Sequence, residues 1–143
     1  MTDAEAFKKV FLDTAPLIYF LDNDPQFGLK MKEILESFLS ENVQILSSVI
    51  TCEEYLIIPY RTANQEKIEV FFDFTRDCGI ELVPVDTIIA QKAAEIRAHY
   101  QHFKSMDALQ LAVAVTRGCD AFLTNDKQLK QFSDLPCILV EEW

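Results

Sequence analysis

The chain has 143 residues, of which 50% are hydrophobic, and its formal net charge at neutral pH is −10. This length suits a single domain spanning residues 1–143, and the low content of glycine (3) and proline (5) excludes a disordered chain. The net charge argues against broad, non-specific binding of nucleic acid, which depends on a basic surface. A carboxylate cluster would account for about four of these charges, and a divalent cation would offset about half of that.

No stretch of the sequence approaches the roughly 20 apolar residues needed to span a bilayer. The first residues also lack the basic segment and apolar run of a secretory signal. We therefore expect a cytoplasmic protein without a membrane partner. Its four cysteines are scattered and lack zinc-ligand spacing, so we interpret them as reduced thiols. They are Cys52, Cys78, Cys119 and Cys137.

Five short apolar runs predict β-strands. They cover residues 10–12, 43–50, 80–85, 121–124 and 138–140. In the third run, Pro84 predicts either the end of the strand or an edge position, because proline cannot donate a ladder hydrogen bond. The fifth run is short, and we interpret it only as a possible strand.

Six helical patterns lie between these strands. They begin at Pro16, near Leu29, at residues 51–54, near Ile68, after Asp86 and after Ser105. Proline suits a first helical turn, and Thr51 followed by Glu54 has the form of a capping box. The last helix is apolar nearly all round, which indicates burial against the sheet, and Gly118 can end it.

The alternation of apolar strands with helices predicts an α/β fold, a three-layer α/β/α sandwich. Because the strands are continuously apolar, we expect a mostly parallel sheet of four to five strands, covered on both faces. Parallel strands all end at one edge of the sheet, and open α/β sheets bind ligands there. Residues that follow strands or open helices are therefore the candidates for a functional site.

Four acidic residues occupy such positions: Asp13, Glu54, Asp107 and Asp126. Taken singly, each can be a helix cap or a partner of the helix dipole, as we interpret Asp86. Taken together, carboxylates at close range repel one another and raise one another's pKa unless a cation lies between them. Oxygen ligands favour Mg²⁺ or Mn²⁺, and these ions assist hydrolysis of phosphodiester bonds.

Four sequence segments resemble the motifs of the PIN domain family, in order and with ordinary spacing. They are residues 10–14, 48–54, 105–112 and 122–126. The similarity covers nearly the whole chain and is strongest to VapC-type toxins of bacterial toxin–antitoxin pairs. It implies a PIN-like fold and a Mg²⁺- or Mn²⁺-dependent endoribonuclease with an antitoxin protein as partner.

The resemblance also assigns roles to individual residues. Asp13, Glu54 and Asp107 match the metal ligands, and Asp126 matches an acid that acts through water. Thr124 is expected to orient a carboxylate by hydrogen bonding, or else to be a half-buried strand residue. The family often has Asn two residues after the first Asp, whereas this chain has Ala15, so one contact to substrate is missing.

Two further predictions concern binding. Arg97 and Lys104, with His99 and His102, precede Asp107 and either contact RNA phosphates or form a solvated helix end. The middle helices carry more apolar residues than can all point inward. We expect the remainder to form an interface for a homodimer or an antitoxin. The whole apolar set, part of which must belong to the core, is Ile57, Ile58, Tyr60, Val70, Phe71, Phe72 and Phe74.

Two alternatives to a ribonuclease remain at this point. The first is a catalytically silent PIN-fold module that binds or regulates. The second is a phosphotransferase with Asp13 as nucleophile, but that class has a second Asp where this chain has Ala15. The silent module would show no divalent-dependent cleavage of RNA. The phosphotransferase would form a phospho-aspartate.

Overall fold

The computed structural model describes residues 3–143 and contains a central sheet flanked by helices. The strands are Lys9–Leu12 (β1), Gln44–Ser48 (β2), Glu81–Val83 (β3), Ala121–Thr124 (β4) and Cys137–Leu139 (β5). The α-helices are Thr14–Leu21 (α1), Gly28–Ser40 (α2), Val49–Arg61 (α3), Gln65–Asp77 (α4), Thr87–His99 (α5) and Ser105–Thr116 (α6). Short 3₁₀ helices cover Ala4–Ala6, Lys127–Gln131 and Val140–Glu142.

The five strands form one sheet in the order β3-β2-β1-β4-β5, and all four pairings are parallel. In the register, Phe11 of β1 lies opposite Leu46 of β2 and Phe122 of β4. The predicted three-layer fold with a parallel sheet is therefore confirmed. β3 is an edge strand and stops immediately before Pro84, so both interpretations of that proline hold.

Alternate residues of the central strands fill two separate cores, as the period of a β-strand requires. Val10 and Leu12 face a core shared with Phe38 of α2. Phe11 points the other way, where it stacks on Phe122 with ring centroids 5.1 Å apart, in a core closed by α5 and α6. Both faces of the sheet are covered, and open α/β sheets bind ligands beyond the carboxyl ends of their strands, where Asp13 follows β1.

A third apolar cluster joins the helices on one side of the site. Leu17 of α1, Tyr55 of α3 and Phe71 of α4 are buried in it. Tyr55 also donates a hydrogen bond from its hydroxyl to Asp22, at 3.1 Å. This packing fixes α1, which Asp13 caps, against α3, which carries Glu54.

The predicted boundaries at the second strand were wrong. The apolar run predicted a strand to Ile50, but β2 ends at Ser48 and α3 begins at Val49. Ser48 is the N-cap, and its hydroxyl accepts a hydrogen bond from Ile50 N at 3.1 Å. Thr51 is therefore a buried residue inside the helix, and Thr51 and Glu54 do not form the predicted capping box.

Other helix ends were placed with small errors. Asp13 caps α1, which begins two residues before Pro16. Lys104, not Ser105, occupies the cap position of α6, and it has no side-chain cap hydrogen bond. Gly118 follows the end of α6 with a φ of 70°, a conformation that glycine adopts without strain, as its predicted role requires. Across residues 3–143, no helix combines the length and apolar character needed to cross a membrane.

Candidate active site

Asp13 lies at the carboxyl edge of the sheet, directly after β1. Its carboxylate accepts hydrogen bonds from Thr14 N at 2.9 Å and from Thr124 Oγ1 at 2.8 Å. Thr124 is the last residue of the neighbouring strand β4 and is fully buried, so the parallel pairing brings the two side chains together. The hydrogen bond proposed for Thr124 is therefore present, and it fixes the orientation of Asp13.

The environment of Asp13 opposes its negative charge. Burial raises the pKa of this carboxyl group from 3.8 to about 6, although hydrogen bonds from Thr124 and Thr14 lower it. The negative charges of Asp107 and Glu54 raise the pKa further. Asp13 is only 9% exposed, so solvent can do little to screen these neighbours. The structure thus brings three acids that are remote in sequence into electrostatic contact.

Glu54 reaches the same edge from α3. Its side chain is exposed, but Oε1 accepts a hydrogen bond from Thr14 Oγ1 at 2.7 Å. Thr14 follows Asp13 in the chain, so one residue of α1 connects the two acids. Glu53, the neighbouring acid, instead lines an apolar groove of about 250 Å³ between the starts of α3 and α6, together with Val49 and Met106. This arrangement favours Glu54 over Glu53 as the member of the acidic group.

Asp107 lies in the first turn of α6 and completes the group with Asp126. Burial raises the pKa of Asp107, the charges of Asp126 and Glu54 raise it further, and Lys104 lowers it. Asp126 has a structural role as well, because it caps the 3₁₀ helix after β4 and accepts a hydrogen bond from Gln128 N at 3.0 Å. All four acids therefore lie near one another, while Asp13 and Asp126 also serve as caps.

The acidic group supplies only oxygen donors, which suits Mg²⁺ or Mn²⁺ and disfavours zinc. Within residues 3–143, no three His, Cys, Asp or Glu side chains approach closely enough to form a ready-made metal cage. The donor chemistry and the raised pKa values of Asp13 and Asp107 fit a divalent cation; the side chains must close in to bind it.

The basic residues before Asp107 have different environments. The Arg97 Nε group donates to the Phe103 carbonyl at 3.2 Å and so holds the loop between α5 and α6. His99 bonds through Nδ1 to the Glu95 carbonyl at 2.9 Å, in the last turn of its own helix. Lys104 is close enough to Asp107 to affect its pKa. Of the two residues predicted to contact RNA, Lys104 is therefore better placed than Arg97 to meet a phosphate beside the acidic group.

Sequence reasoning missed a buried polar network behind the acids. Its members are Thr14, Ser47, Ser48, Thr51 and Gln110. A glutamine within the nearly all-apolar helix α6 was a visible signal, because a buried polar side chain needs partners. Nearby, Asn125 donates from Nδ2 to the Tyr19 hydroxyl at 3.3 Å, and its buried Oδ1 has no partner among the described residues.

The family model that matches this chain is the PIN domain, over residues 10–135. No curated protein sequence matches the chain closely enough to count as a relative. The match includes all four acids and covers most of the sequence, and the chain belongs to the PIN domain family. The expected family membership is thereby confirmed.

Solved structures of toxin–antitoxin systems share this fold. The VapBC2 complex of Rickettsia felis, bound to a DNA fragment from its promoter, matches with a TM-score of 0.74 at 18% identity, covering 92% of this chain and 98% of the other. A toxin–antitoxin complex from Klebsiella pneumoniae gives 0.69 at 21% identity, with coverage of 94% and 99%. VapC20 of Mycobacterium tuberculosis, a toxin that cleaves the sarcin–ricin loop, gives 0.62 at 15%, with coverage of 79% and 86%.

Proposed function

We propose that this chain is a Mg²⁺- or Mn²⁺-dependent endoribonuclease, the cytoplasmic toxin of a type II toxin–antitoxin pair. The observation that carries the proposal is the convergence of Asp13, Glu54 and Asp107 at one sheet edge, where burial and neighbouring charge raise the pKa of two of them. Such an arrangement costs stability and is expected where a cation is used. Membership of the PIN family and the fold shared with VapC toxins support the same conclusion.

In this mechanism, Asp13, Glu54 and Asp107 would hold the cation, and Asp126 would act through water. When bound, the cation neutralises charge on the phosphate and makes water a better nucleophile. The hydrogen bonds from Thr124 to Asp13 and from Thr14 to Glu54 keep both carboxylates aimed at the same edge. A carboxylate that is not holding the cation can accept the proton of the attacking water.

Substrate binding must overcome the net charge of −10. Lys104 lies beside the acidic group, and Arg97 retains guanidinium N–H groups besides the Nε that holds Phe103. We assign both residues to RNA phosphate contact. With few such contacts, cleavage should depend strongly on the folded shape of the RNA rather than on general affinity for polyanions.

The test of the function is RNA cleavage by the purified chain with and without added divalent ion. We expect cleavage at internal phosphodiester bonds in Mg²⁺ or Mn²⁺, loss of cleavage in EDTA, and recovery when the ion is restored. Mass spectrometry of the products and gel analysis of a structured RNA provide the readout. Cleavage that continues unchanged in EDTA would disprove the metal mechanism. Metal binding without cleavage of any RNA would favour the silent PIN-fold module.

The negative charge also suits a basic partner, because complementary charge speeds association and disfavours wrong partners. Several of the similar solved structures are complexes of a toxin with its antitoxin. We therefore propose that a basic segment of an antitoxin lies against the acidic edge and blocks access to Asp13 and Asp107. This arrangement would inhibit the nuclease and neutralise the acidic cluster in the same step.

We further propose that the exposed apolar side chains of α3 and α4 pair two copies of the chain. Ile58 is 64% and Tyr60 66% exposed, and Phe72 is 45% exposed. Phe71 is fully buried, so the surplus of apolar residues divides between the core and the surface. Apolar side chains of this size are more commonly buried, and a second copy would remove them from water.

Ile58→Lys should weaken the homodimer by at least about 30-fold, since a charge placed at a central apolar contact costs about as much as the loss of a hot spot. Sedimentation equilibrium across the micromolar range measures the effect. Leu29→Lys is the matched control, because Leu29 is an equally apolar and more exposed residue of α2 (81%) outside this surface. A monomeric wild type, or an equal effect of both substitutions, would contradict the proposed interface.

A further inference from the structure

The buried polar network behind the acidic edge centres on Gln110. This side chain is 1% exposed, in a helix whose other buried residues are apolar. Its Oε1 accepts a hydrogen bond from the Ser48 hydroxyl. Its Nε2 lies 2.8 Å from Thr51 Oγ1 and 3.4 Å from Thr14 Oγ1. Every polar atom of the amide group is thus satisfied inside the protein.

The surroundings determine which way the amide points. The Nε2 end faces two hydroxyl oxygens, and its two N–H groups can serve both. The opposite end meets one hydroxyl, that of Ser48, which can donate its single proton to Oε1. Reversing the amide would leave one N–H without a partner in a buried site, which costs about 1–3 kcal/mol. Gln110 therefore acts as a double donor towards Thr14 and Thr51.

That donation determines what the Thr14 hydroxyl does. A hydroxyl has one proton to donate, and the Glu54 carboxylate can only accept. The Thr14 hydroxyl therefore donates its hydrogen bond to Glu54 Oε1, at 2.7 Å. The Thr14 oxygen is then free to accept from the Gln110 amide. Without the amide, the Thr14 hydroxyl could turn to Thr51 Oγ1, which lies 3.1 Å away. Glu54, whose side chain is exposed, would then lose its hydrogen bond from Thr14.

The network also reaches the strand that precedes Asp13. Ser47 Oγ lies 2.8 Å from the Leu12 carbonyl and 2.8 Å from Thr51 Oγ1. Because Leu12 directly precedes Asp13, the same group of hydroxyls connects the end of β1, the start of α3 and the buried helix α6. The relative position of the three proposed metal-binding acids thus depends on one set of buried hydrogen bonds.

We propose that Gln110 is a positioning residue for the proposed nuclease site: its amide directs the Thr14 hydroxyl to Glu54 and so keeps that carboxylate in place to bind a divalent cation. The inference rests on the proposed function, since it concerns the same cation. It adds a residue that touches neither the cation nor the substrate and acts through Thr14. Residues that orient metal ligands in this way typically alter metal affinity by about 10–100-fold.

The test is a double-mutant cycle on Mn²⁺ affinity, measured by calorimetry or electron paramagnetic resonance without RNA. Gln110→Met removes the donor and nearly preserves volume, and Thr14→Val removes the hydroxyl and preserves shape. We expect each single substitution to weaken Mn²⁺ binding by about tenfold or more. In the Thr14→Val background, Gln110→Met should change the affinity by less than about twofold, because its route to Glu54 is already broken.

Gln91→Met is the matched control, because Gln91 is exposed on α5 and the same chemical change there should leave Mn²⁺ affinity unaltered. Equal effects of Gln110→Met in both Thr14 backgrounds would overturn the inference and assign Gln110 a structural role only. The proposed function would survive that result, since wild type would still bind the ion. A wild type that binds no Mn²⁺ would overturn both.

A second measurement does not depend on a variant at Gln110. In the wild type, the NMR signals of the Gln110 side-chain amide should shift when Mg²⁺ saturates the site, because the cation fixes Glu54 and through it Thr14. In Thr14→Val the shift should disappear, while an exposed amide such as Gln91 remains unaffected in both proteins. An unchanged Gln110 signal in wild type at saturating Mg²⁺ would contradict the coupling.

Discussion

Asp107→Asn should lower the rate of RNA cleavage by at least about 100-fold and leave the fold intact. Residues that merely orient metal ligands typically cost about 10–100-fold, and loss of a ligand should exceed that. The substitution preserves the size of the side chain and relieves the repulsion from Glu54 and Asp126 that raises the pKa of Asp107. Single-turnover cleavage at saturating Mn²⁺, together with circular dichroism, measures both parts of the expectation.

Asp86→Asn is the matched control for this experiment. Asp86 accepts a hydrogen bond from Ile89 N at 2.9 Å and caps α5, and Asn caps a helix about as well. The same change of Asp to Asn should therefore leave cleavage nearly unchanged. Full activity of the Asp107→Asn protein, or an equal loss in both variants, would show that Asp107 has no special part in the chemistry.

Asp13→Asn should stabilise the metal-free protein at neutral pH. The pKa of Asp13 is about 6 in the fold against 3.8 as its ordinary value, so the folded state favours the protonated form. Stability from this group is present in full below about pH 4 and is lost as pH rises through 6. The shift corresponds to about 3 kcal/mol at most by linkage. Loss of carboxylate hydrogen bonds from Thr14 and Thr124 will offset part of the gain.

Urea unfolding of metal-free wild type and Asp13→Asn at about pH 4 and about pH 7.5 measures this effect. The difference between the two proteins should favour the variant more at the higher pH. Added Mn²⁺ should then stabilise wild type and have a much smaller effect on the variant, because ligand binding to the folded state adds stability. A wild type that gains stability relative to the variant between these pH values would contradict the expected sign.

These two predictions describe one physical feature of the site. The burial of Asp13 and the position of Asp107 near two other acids both reduce the stability of the folded protein. Burial first, and like charge second, disfavour the ionised carboxylates, and a bound cation would offset both effects. The pH dependence of unfolding in the metal-free protein and the loss of cleavage in Asp107→Asn therefore test the same cluster of acids. The first measures its effect on stability, and the second measures its effect on activity.

The sequence was most informative where a residue type has one dominant physical use. Gly118 ends α6 because its φ of 70° suits glycine, and Asp86 caps α5 as its position indicated. It was least informative at Ser48, where an apolar strand runs into an apolar helix without a change in composition. There the hydrogen bond from Ile50 N to Ser48, and not hydrophobic pattern, decides where the helix begins.

By itself, the sequence determined the parallel α/β sandwich and the edge of the sheet where the acids lie, because strand periodicity and buried helices leave few other arrangements. The family came from the resemblance of four sequence segments to known motifs. Only the tertiary structure decided that Thr14 bonds Glu54, that Thr124 bonds Asp13 and that Gln110 lies within hydrogen-bond distance of Thr14. These contacts join residues up to 111 positions apart. Such pairings depend on strand register and helix packing, which no local pattern specifies.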